Sequence, residues 1–200
     1  MQNVSLPDPD TKSLFKIALP LIISGLASNM AIFADRMILS WYNTEMMTHV
    51  TTSSNFSWLF LFTISSMAYV SKIYVGQYNG AQKYKEAGHI TWQLIIFSSI
   101  SILIFALAYL FSPLIVPSVV HKYGLDYFKI LMLGGITWPL SAAISGFLIG
   151  TYQTTIVLII LLAANTVNII LDLYWIPEFG TSGAAWATIT AMLLQTFCFF

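Results

Sequence analysis

Long apolar stretches alternate with short polar segments along the whole chain. Each stretch is about 20 residues long, which as a helix is enough to cross a bilayer, and none shows the alternation of barrel strands. The pattern predicts six transmembrane helices, at residues 14–42, 56–74, 90–115, 127–150, 156–176 and 183–200. Residues 1–13 are predicted to form a polar N-terminal tail on the cytoplasmic side.

Composition supports the same fold class. Hydrophobic residues make up 58% of the chain and charged residues 8%, against roughly 25% charged residues in soluble domains. A soluble domain of 200 residues has too little interior to hide this much apolar surface. We therefore predict an all-α integral membrane protein surrounded by the lipid bilayer. The net charge of zero gives no reason to expect a nucleic-acid partner.

The basic residues predict the orientation. Loops on the cytoplasmic side of a membrane protein carry an excess of Lys and Arg. A cytoplasmic N-terminus would place five basic residues inside and three outside, namely Lys12, Lys16, Lys72, Lys83 and Lys85 against Arg36, Lys122 and Lys129. We therefore expect a multi-pass protein of the bacterial inner membrane, or plasma membrane, with its N-terminus inside. A cleaved signal peptide is not expected, because the first apolar stretch continues to Tyr42.

Three polar residues stand out within the fifth predicted helix. Asn165, Asn168 and Asp172 are spaced three and then four apart, so they share one helix face. A carboxyl group at the centre of a bilayer costs about 2.5–3.5 kcal/mol. Such a residue normally faces protein or a water-filled cavity and is a candidate for function. Two alternatives stay open: Asp172 could snorkel to the interface beside Trp175, and the asparagines could be interhelical hydrogen-bond partners.

Other polar residues are predicted to lie at a similar depth. Asp35 precedes Trp41 in the first helix by roughly 9 Å along the axis, and Asp172 precedes Trp175 by roughly 5 Å. Thr188 follows the start of the sixth helix closely, although its hydroxyl could equally bond to its own backbone. We expect one outward-opening polar pocket. Because Asp35 and Arg36 are neighbours, their side chains are expected to point apart rather than to form an isolated salt bridge.

A pair of carboxyl groups out of bulk water favours reversible neutralisation by a proton or Na⁺. Desolvation and mutual repulsion both act against two negative charges in one pocket. Motifs of enzymes are not evident: there is no paired-histidine zinc motif, no Gly-x-Ser-x-Gly turn and no complete phosphate-binding loop. We therefore do not expect an enzyme.

Four stretches, in this order and at compatible spacing, resemble the N-terminal half of the multidrug and toxic compound extrusion (MATE) transporters. They are residues 18–22 followed by Asp35, residues 76–81, residues 140–150, and residues 168–172 continuing to 183–188. The resemblance implies six helices that form one lobe of a MATE-like antiporter. Such an antiporter has two lobes around a central cleft, exports small organic compounds, cationic ones among them, in exchange for H⁺ or Na⁺, and uses no cofactor.

The resemblance also implies roles for individual residues. The cation-coupling residues are Asp35, Asp172, Asn168 and Thr188, and no metal is expected other than Na⁺ at the two aspartates. Pro20 matches a proline proposed to act as a hinge in the first helix. Arg36 departs from the family pattern, in which an uncharged residue is usual. A cation beside Asp35 could hold it ionised, so Arg36 is a candidate modulator of coupling.

The second departure is that only six helices are present, so the C-terminal lobe is expected to be absent. The chain would then be the N-terminal lobe or a truncated form, or would pair with a second lobe from another copy or chain. Two other functions stay open. One is a flippase for lipid-linked precursors, which tends to have more basic residues in its cavity. The other is a non-transporting interaction protein, or an inactive fragment, that binds a partner through the small-residue row Ala142, Gly146 and Gly150.

Overall fold

The protein is described by a computed structural model over residues 11–200, so most of the predicted tail at 1–13 lies outside the described residues. Within that range the chain is almost entirely α-helical and contains no strand. The helices are α1 Thr11–Tyr42, α2 Thr44–Ala68, α3 Ser71–Gly80, α4 Tyr84–Ile100, α5 Ile102–Leu110, α6 Ser112–Ile115, α7 His121–Leu133, α8 Thr137–Gly150, α9 Thr154–Phe179 and α10 Thr181–Phe199. A short 3₁₀ helix, Ser118–Val120, precedes α7.

These helices group into six membrane spans. Five helical stretches are individually long and apolar enough to cross a bilayer: Leu14–Tyr42, Thr44–Gly80, Tyr84–Leu110, Thr154–Phe179 and Thr181–Phe199. The sixth is a bent pair, Ser118–Leu133 and Thr137–Gly150, whose two parts meet at 47°. The predicted fold class, an all-α membrane protein with six spans, is confirmed.

The second span begins earlier than the sequence pattern predicts. Asn43 caps α2 in an extended conformation, and its side-chain oxygen accepts hydrogen bonds from the backbone N–H groups of Glu45 (2.8 Å) and Met46 (3.3 Å). The Thr and Ser residues before position 56 are helical, and hydroxyls such as that of Thr51 donate to the preceding turn, here to the carbonyl of Met47 at 2.7 Å. Residues 44–55 therefore belong to the helix.

Asn79 and Gly80, a pair typical of turns, also lie inside a helix. The chain continues as α3 to Gly80 and reverses at Gln82, which has a φ of 58°. The Asn79 amide donates to the carbonyl of Gly150 (3.2 Å). Asn79 thus fastens α3 to the end of α8 instead of making the turn.

Two prolines lie close to the places where helices end or break. The fifth predicted span stops at residue 176, before Pro177, but α9 continues through this proline to Phe179 and is followed by Gly180, which has a φ of 59°. A proline so near the C-terminal end removes a single backbone hydrogen bond, which the last turn tolerates. The fourth span is interrupted between Leu133 and Thr137, just before Pro139, whose ring cannot continue the helix from the preceding turn.

The small-residue row of α8 packs inside the molecule. Ala142 is 2% exposed, and Gly146 and Gly150 lie directly against α3. A Cβ atom on Gly146 would overlap the Ser71 hydroxyl, and one on Gly150 would lie 2.7 Å from Cγ1 of Val75. This face is therefore occupied by the chain's own α3, and the alternative of a partner-binding surface here is not favoured.

Candidate functional site

The polar stripe of α9 faces the protein interior. Asn168 is 9% exposed and Asp172 is 0% exposed, while Asn165 is half-buried. Neither carboxylate oxygen of Asp172 has a hydrogen-bond partner. Asp172 therefore does not snorkel to the interface, and its burial without partners is the costly arrangement that points to function.

Asp35 approaches the same interior from α1. It is 6% exposed, and its Oδ1 atom also has no hydrogen-bond partner. Helices α1 and α9, which carry Asp35 and Asp172, pack extensively against each other. Asp35 lies seven residues before the end of α1, and Asp172 seven residues before the end of α9. Each carboxyl group thus lies about 10 Å, measured along its helix, from the C-terminal end of that helix.

A cavity of about 330 Å³ connects these groups with other helices. Asp35, Arg36, Asn168 and Thr188 all line it. Asp172 is not a lining residue and lies one helical turn beyond Asn168 on α9. The cavity lining thus includes three of the four residues predicted to share one pocket, and Asp172 is not among them. Thr188 also bonds to its own helix, with its hydroxyl donating to the Ala184 carbonyl (2.9 Å). That bond is the one expected if the Thr188 hydroxyl only satisfies the backbone of its own helix.

Arg36 forms an ion pair with its neighbour Asp35. Its Nη1 atom lies 3.3 Å from Oδ2 of Asp35. The prediction that these neighbours point apart was wrong, because the arginine side chain is long enough to fold back across the helix surface. Its Nη2 atom donates to the hydroxyl of Ser54 on α2 (2.8 Å), and its guanidinium carbon lies 5.9 Å from the ring centroid of Tyr127 on α7. Two helices besides its own therefore contact this one side chain.

Most of the cavity wall comes from residues not predicted as site residues. Trp58 on α2 and Trp138 on α8 meet edge to face, with ring centroids 6.5 Å apart, and Tyr127 and Gln195 complete the aromatic and polar lining. A signal for the α2 part exists in the sequence: the lining residues Trp58, Leu61, Ser65 and Tyr69 recur every three or four positions. The contribution of Tyr127 could not be found this way, because it depends on how α7 packs.

Pro20 lies within α1 but does not line the cavity. Because proline has no N–H group, one backbone carbonyl of the preceding turn lacks its helical donor. The carbonyl of Pro20 itself accepts an additional bond from the Ser24 hydroxyl (2.8 Å). The predicted hinge therefore has a local basis at Pro20, although its motion stays a prediction.

The charges of the site favour a cation. With both aspartates ionised and Arg36 protonated, the cluster carries one excess negative charge. The unpartnered oxygens of Asp35 and Asp172 are ligands of the kind that a hard cation such as Na⁺ prefers. Among the residues that line the cavity Arg36 is the one basic residue, so the cavity lacks the basic character expected of the flippase alternative. Over residues 11–200 no cluster of three His, Cys, Asp or Glu residues could hold a metal ion.

Comparisons with known proteins agree with this architecture. The family model MatE matches residues 20–174, which is most of the chain. The chain is similar to a solved MATE transporter in the straight conformation, with a TM-score of 0.83 and 18% identity. It is also similar to a multidrug resistance MATE family transporter of the MOP superfamily in an outward-facing conformation (0.77, 17%). A third similar structure is a MOP superfamily transporter from Pyrococcus furiosus Vc1 with a binding pocket of reverse polarity (0.79, 18%). No curated protein sequence matches the chain significantly.

A multi-pass helical bundle with a polar cavity is typical of membrane transporters, and the family match identifies the chain as a member of this class. The chain belongs to the MATE family of membrane transporters. The structural alignments cover 92% of this chain but 43%, 43% and 42% of the three solved chains. The chain thus spans about two fifths of the length of the solved transporters that it matches.

Proposed function

We propose that this chain forms the cation-coupling lobe of a secondary transporter, which exports small organic compounds by antiport with H⁺ or Na⁺. The observation that carries the proposal is the burial of Asp35 and Asp172, from two different helices, beside one cavity. Two carboxyl groups are costly at this depth unless their charge is neutralised in the working cycle. A coupling cation provides that neutralisation.

The excess negative charge also gives a reason for exchange. A coupling cation and a cationic substrate are both attracted to the same carboxyl groups, so binding of one weakens binding of the other. The aromatic lining from Trp58, Tyr127 and Trp138 suits the apolar part of an organic cation through ring-face contacts. The cavity volume is at the lower end of the range for small-molecule sites. Asn168 and Thr188 are proposed to assist in cation binding from α9 and α10.

The remaining wall of a transport pathway is proposed to come from a second lobe, supplied by another copy of this chain or by another chain. We also propose that Pro20 is the hinge through which cation binding changes the shape of α1. A bacterial inner membrane, or plasma membrane, with the N-terminus in the cytoplasm is the proposed location.

An efflux assay tests the coupling role. Cells lacking their main efflux pumps would express the chain, and loss of ethidium from preloaded cells would be followed with imposed proton or sodium gradients. Asp35→Asn and Asp172→Asn should each reduce gradient-dependent efflux at least tenfold, because each removes one charge that the cation neutralises. Glu45→Gln is the matched control, since it neutralises an exposed carboxylate paired with Lys122.

Gradient-dependent efflux that survives in both aspartate variants would contradict the coupling role. If the native chain gives no efflux alone, it would be co-expressed with a second, differently tagged copy, and co-purification of the two tags would test pairing. Without efflux or pairing, the inactive-fragment alternative gains support.

A further inference from the structure

Arg36 is the single arginine of the sequence and the one basic residue that lines the cavity. Its side chain is 17% exposed and lies 3.3 Å from Asp35. We propose that Arg36 is a built-in counter-ion of the Asp35–Asp172 pair, which limits this pair to one monovalent cation where two carboxylates alone would attract two. This inference rests on the proposed function and adds a specificity-determining residue to it.

The guanidinium is suited to this role because it stays protonated at every physiological pH. A lysine in the same position could lose its proton when buried, whereas an arginine provides a constant charge. With Arg36 present, the two carboxylates carry one excess negative charge, so one H⁺, one Na⁺ or one singly charged organic cation restores neutrality. A second external cation would leave a buried excess positive charge, which is unfavourable in a low-dielectric site.

The contacts of Arg36 hold this charge in position. Ser54 accepts a hydrogen bond from Nη2, and the Tyr127 ring faces the guanidinium carbon at 5.9 Å. These partners come from α2 and α7, whereas the carboxyl groups come from α1 and α9. Helices α8 and α10, which also border the cavity, carry no charged residue. Among the residues that line the cavity Asp35 and Arg36 carry charge, and Asp172 adds the third charge from one helical turn beyond Asn168.

The test is equilibrium binding of ²²Na⁺ to the purified chain in detergent, from pH 7 to 9.5, with choline chloride holding ionic strength constant. The variants form a series in net charge at the site: Arg36→Gln has two excess negative charges, the native chain one, and Asp35→Asn or Asp172→Asn none. Arg36→Gln should bind Na⁺ at least tenfold more tightly than the native chain. The double variant Asp35→Asn with Arg36→Gln again has one excess charge, so the gain should be lost.

Arg36→Lys keeps the charge below the pH at which the lysine loses its proton, and should bind Na⁺ with less than a threefold change at pH 7. Lys122→Gln is the control for loss of a positive charge elsewhere. If Arg36 only cross-links helices, Arg36→Gln will lower the melting temperature without tightening Na⁺ binding, and that result overturns the proposal. The double variant keeps the test decisive if Arg36→Gln does not fold, because Na⁺ binding unrelated to net charge across the remaining variants also overturns it.

The same series separates failure of this inference from failure of the proposed function. If Asp35→Asn and Asp172→Asn abolish Na⁺ binding but Arg36→Gln does not tighten it, the carboxylate site stands and the counter-ion role falls. If the aspartate variants bind Na⁺ like the native chain, the coupling site itself is wrong, and the counter-ion proposal falls with it.

Discussion

Asp172 is held in the interior by its helix and not by its own interactions. It is fully buried, and both of its carboxylate oxygens lack hydrogen-bond partners. A buried polar group without partners costs about 1–3 kcal/mol, and a charged one costs more. The residue therefore destabilises the native fold, which is a common property of residues that are kept for function.

We predict that Asp172→Asn raises the stability of the chain by about 1 kcal/mol while it abolishes cation-dependent efflux. The substitution leaves Asp35 and Arg36 as a balanced pair and removes the unpaired charge. Thermal unfolding of the purified protein in detergent, followed by circular dichroism, measures the change. Asp35→Asn is the matched comparison and should be less stable than Asp172→Asn, because it breaks the 3.3 Å contact with Arg36. A lower melting temperature for Asp172→Asn than for the native chain would contradict this account.

The sequence predicts where the polar residues of the candidate site lie, and their roles stay predictions. Asp35, Asn168, Asp172 and Thr188 are recognisable because polar residues inside long apolar stretches need an explanation, and helix periodicity predicts which of them share a face. The structure adds what periodicity cannot give. The ion pair of Arg36 depends on the path of a long side chain, and its contact with Tyr127 depends on how α7 packs against α2.

At the scale of the helices, α8 is positioned by glycines that allow its backbone to approach α3. Ser71 donates to the carbonyl of Ala143 (2.9 Å), and Asn79 donates to that of Gly150, so hydrogen bonds accompany the close approach. In a bilayer such contacts between small residues stabilise helix pairs, because lipid tails compete poorly with close packing. The pair α3–α8 is therefore a structural support next to the cavity.

We predict that Gly146→Ala destabilises the chain by about 1–3 kcal/mol, because its Cβ atom would overlap the Ser71 hydroxyl and lie 3.0 Å from the backbone nitrogen of Lys72. Gly88→Ala, on α4, is the matched control, since nothing lies within 4 Å of its Cβ position. That control should stabilise the helix by about 0.5–1 kcal/mol. Thermal unfolding in the same detergent compares the two, and equal melting temperatures would show that α3 and α8 are not closely packed.

The ends of the helices were the least predictable part of the fold. The apolar pattern locates the six spans, because it reports directly on burial in lipid. It does not report where a helix ends in polar surroundings. The helical start at Thr44 depends on the cap by Asn43, and the end of α9 depends on Gly180 instead of Pro177. These ends are decided by the two hydrogen bonds of one cap and by one backbone conformation.

At the scale of the whole molecule, the candidate site lies closer to one end of the helical bundle than to the other. Thr188 lies seven residues after the start of α10, and Asp35 and Asp172 lie seven residues before the ends of α1 and α9. All three are thus at similar distances from the end of the bundle that carries Asn43 and Gly180. The other end carries Gln82 with Lys83 and Lys85. The orientation of the chain therefore decides the side from which a cation enters.

We predict that the end of the bundle near Thr44 faces outwards and that the turn at Gln82 faces the cytoplasm, since basic residues concentrate on the cytoplasmic side. Cys198 is the single cysteine of the sequence, so a Cys198→Ser background allows one cysteine to be placed at a time. Thr44→Cys and Gln82→Cys both fall at exposed positions. In intact cells a membrane-impermeant maleimide should label Thr44→Cys at least tenfold faster than Gln82→Cys, and permeabilisation should remove the difference.

The Cys198→Ser background without an added cysteine is the control for nonspecific labelling. Faster labelling of Gln82→Cys in intact cells would reverse the orientation, and Asp35 and Asp172 would then lie in the cytoplasmic half of the membrane. A cation driven inward by the membrane potential gains about 2.3 kcal/mol per 100 mV on crossing the whole membrane. With the predicted orientation the site lies near the outer end of that path, so a cation binds there before most of this energy is released. The remaining drop in potential is then available to drive the step that carries the cation inward.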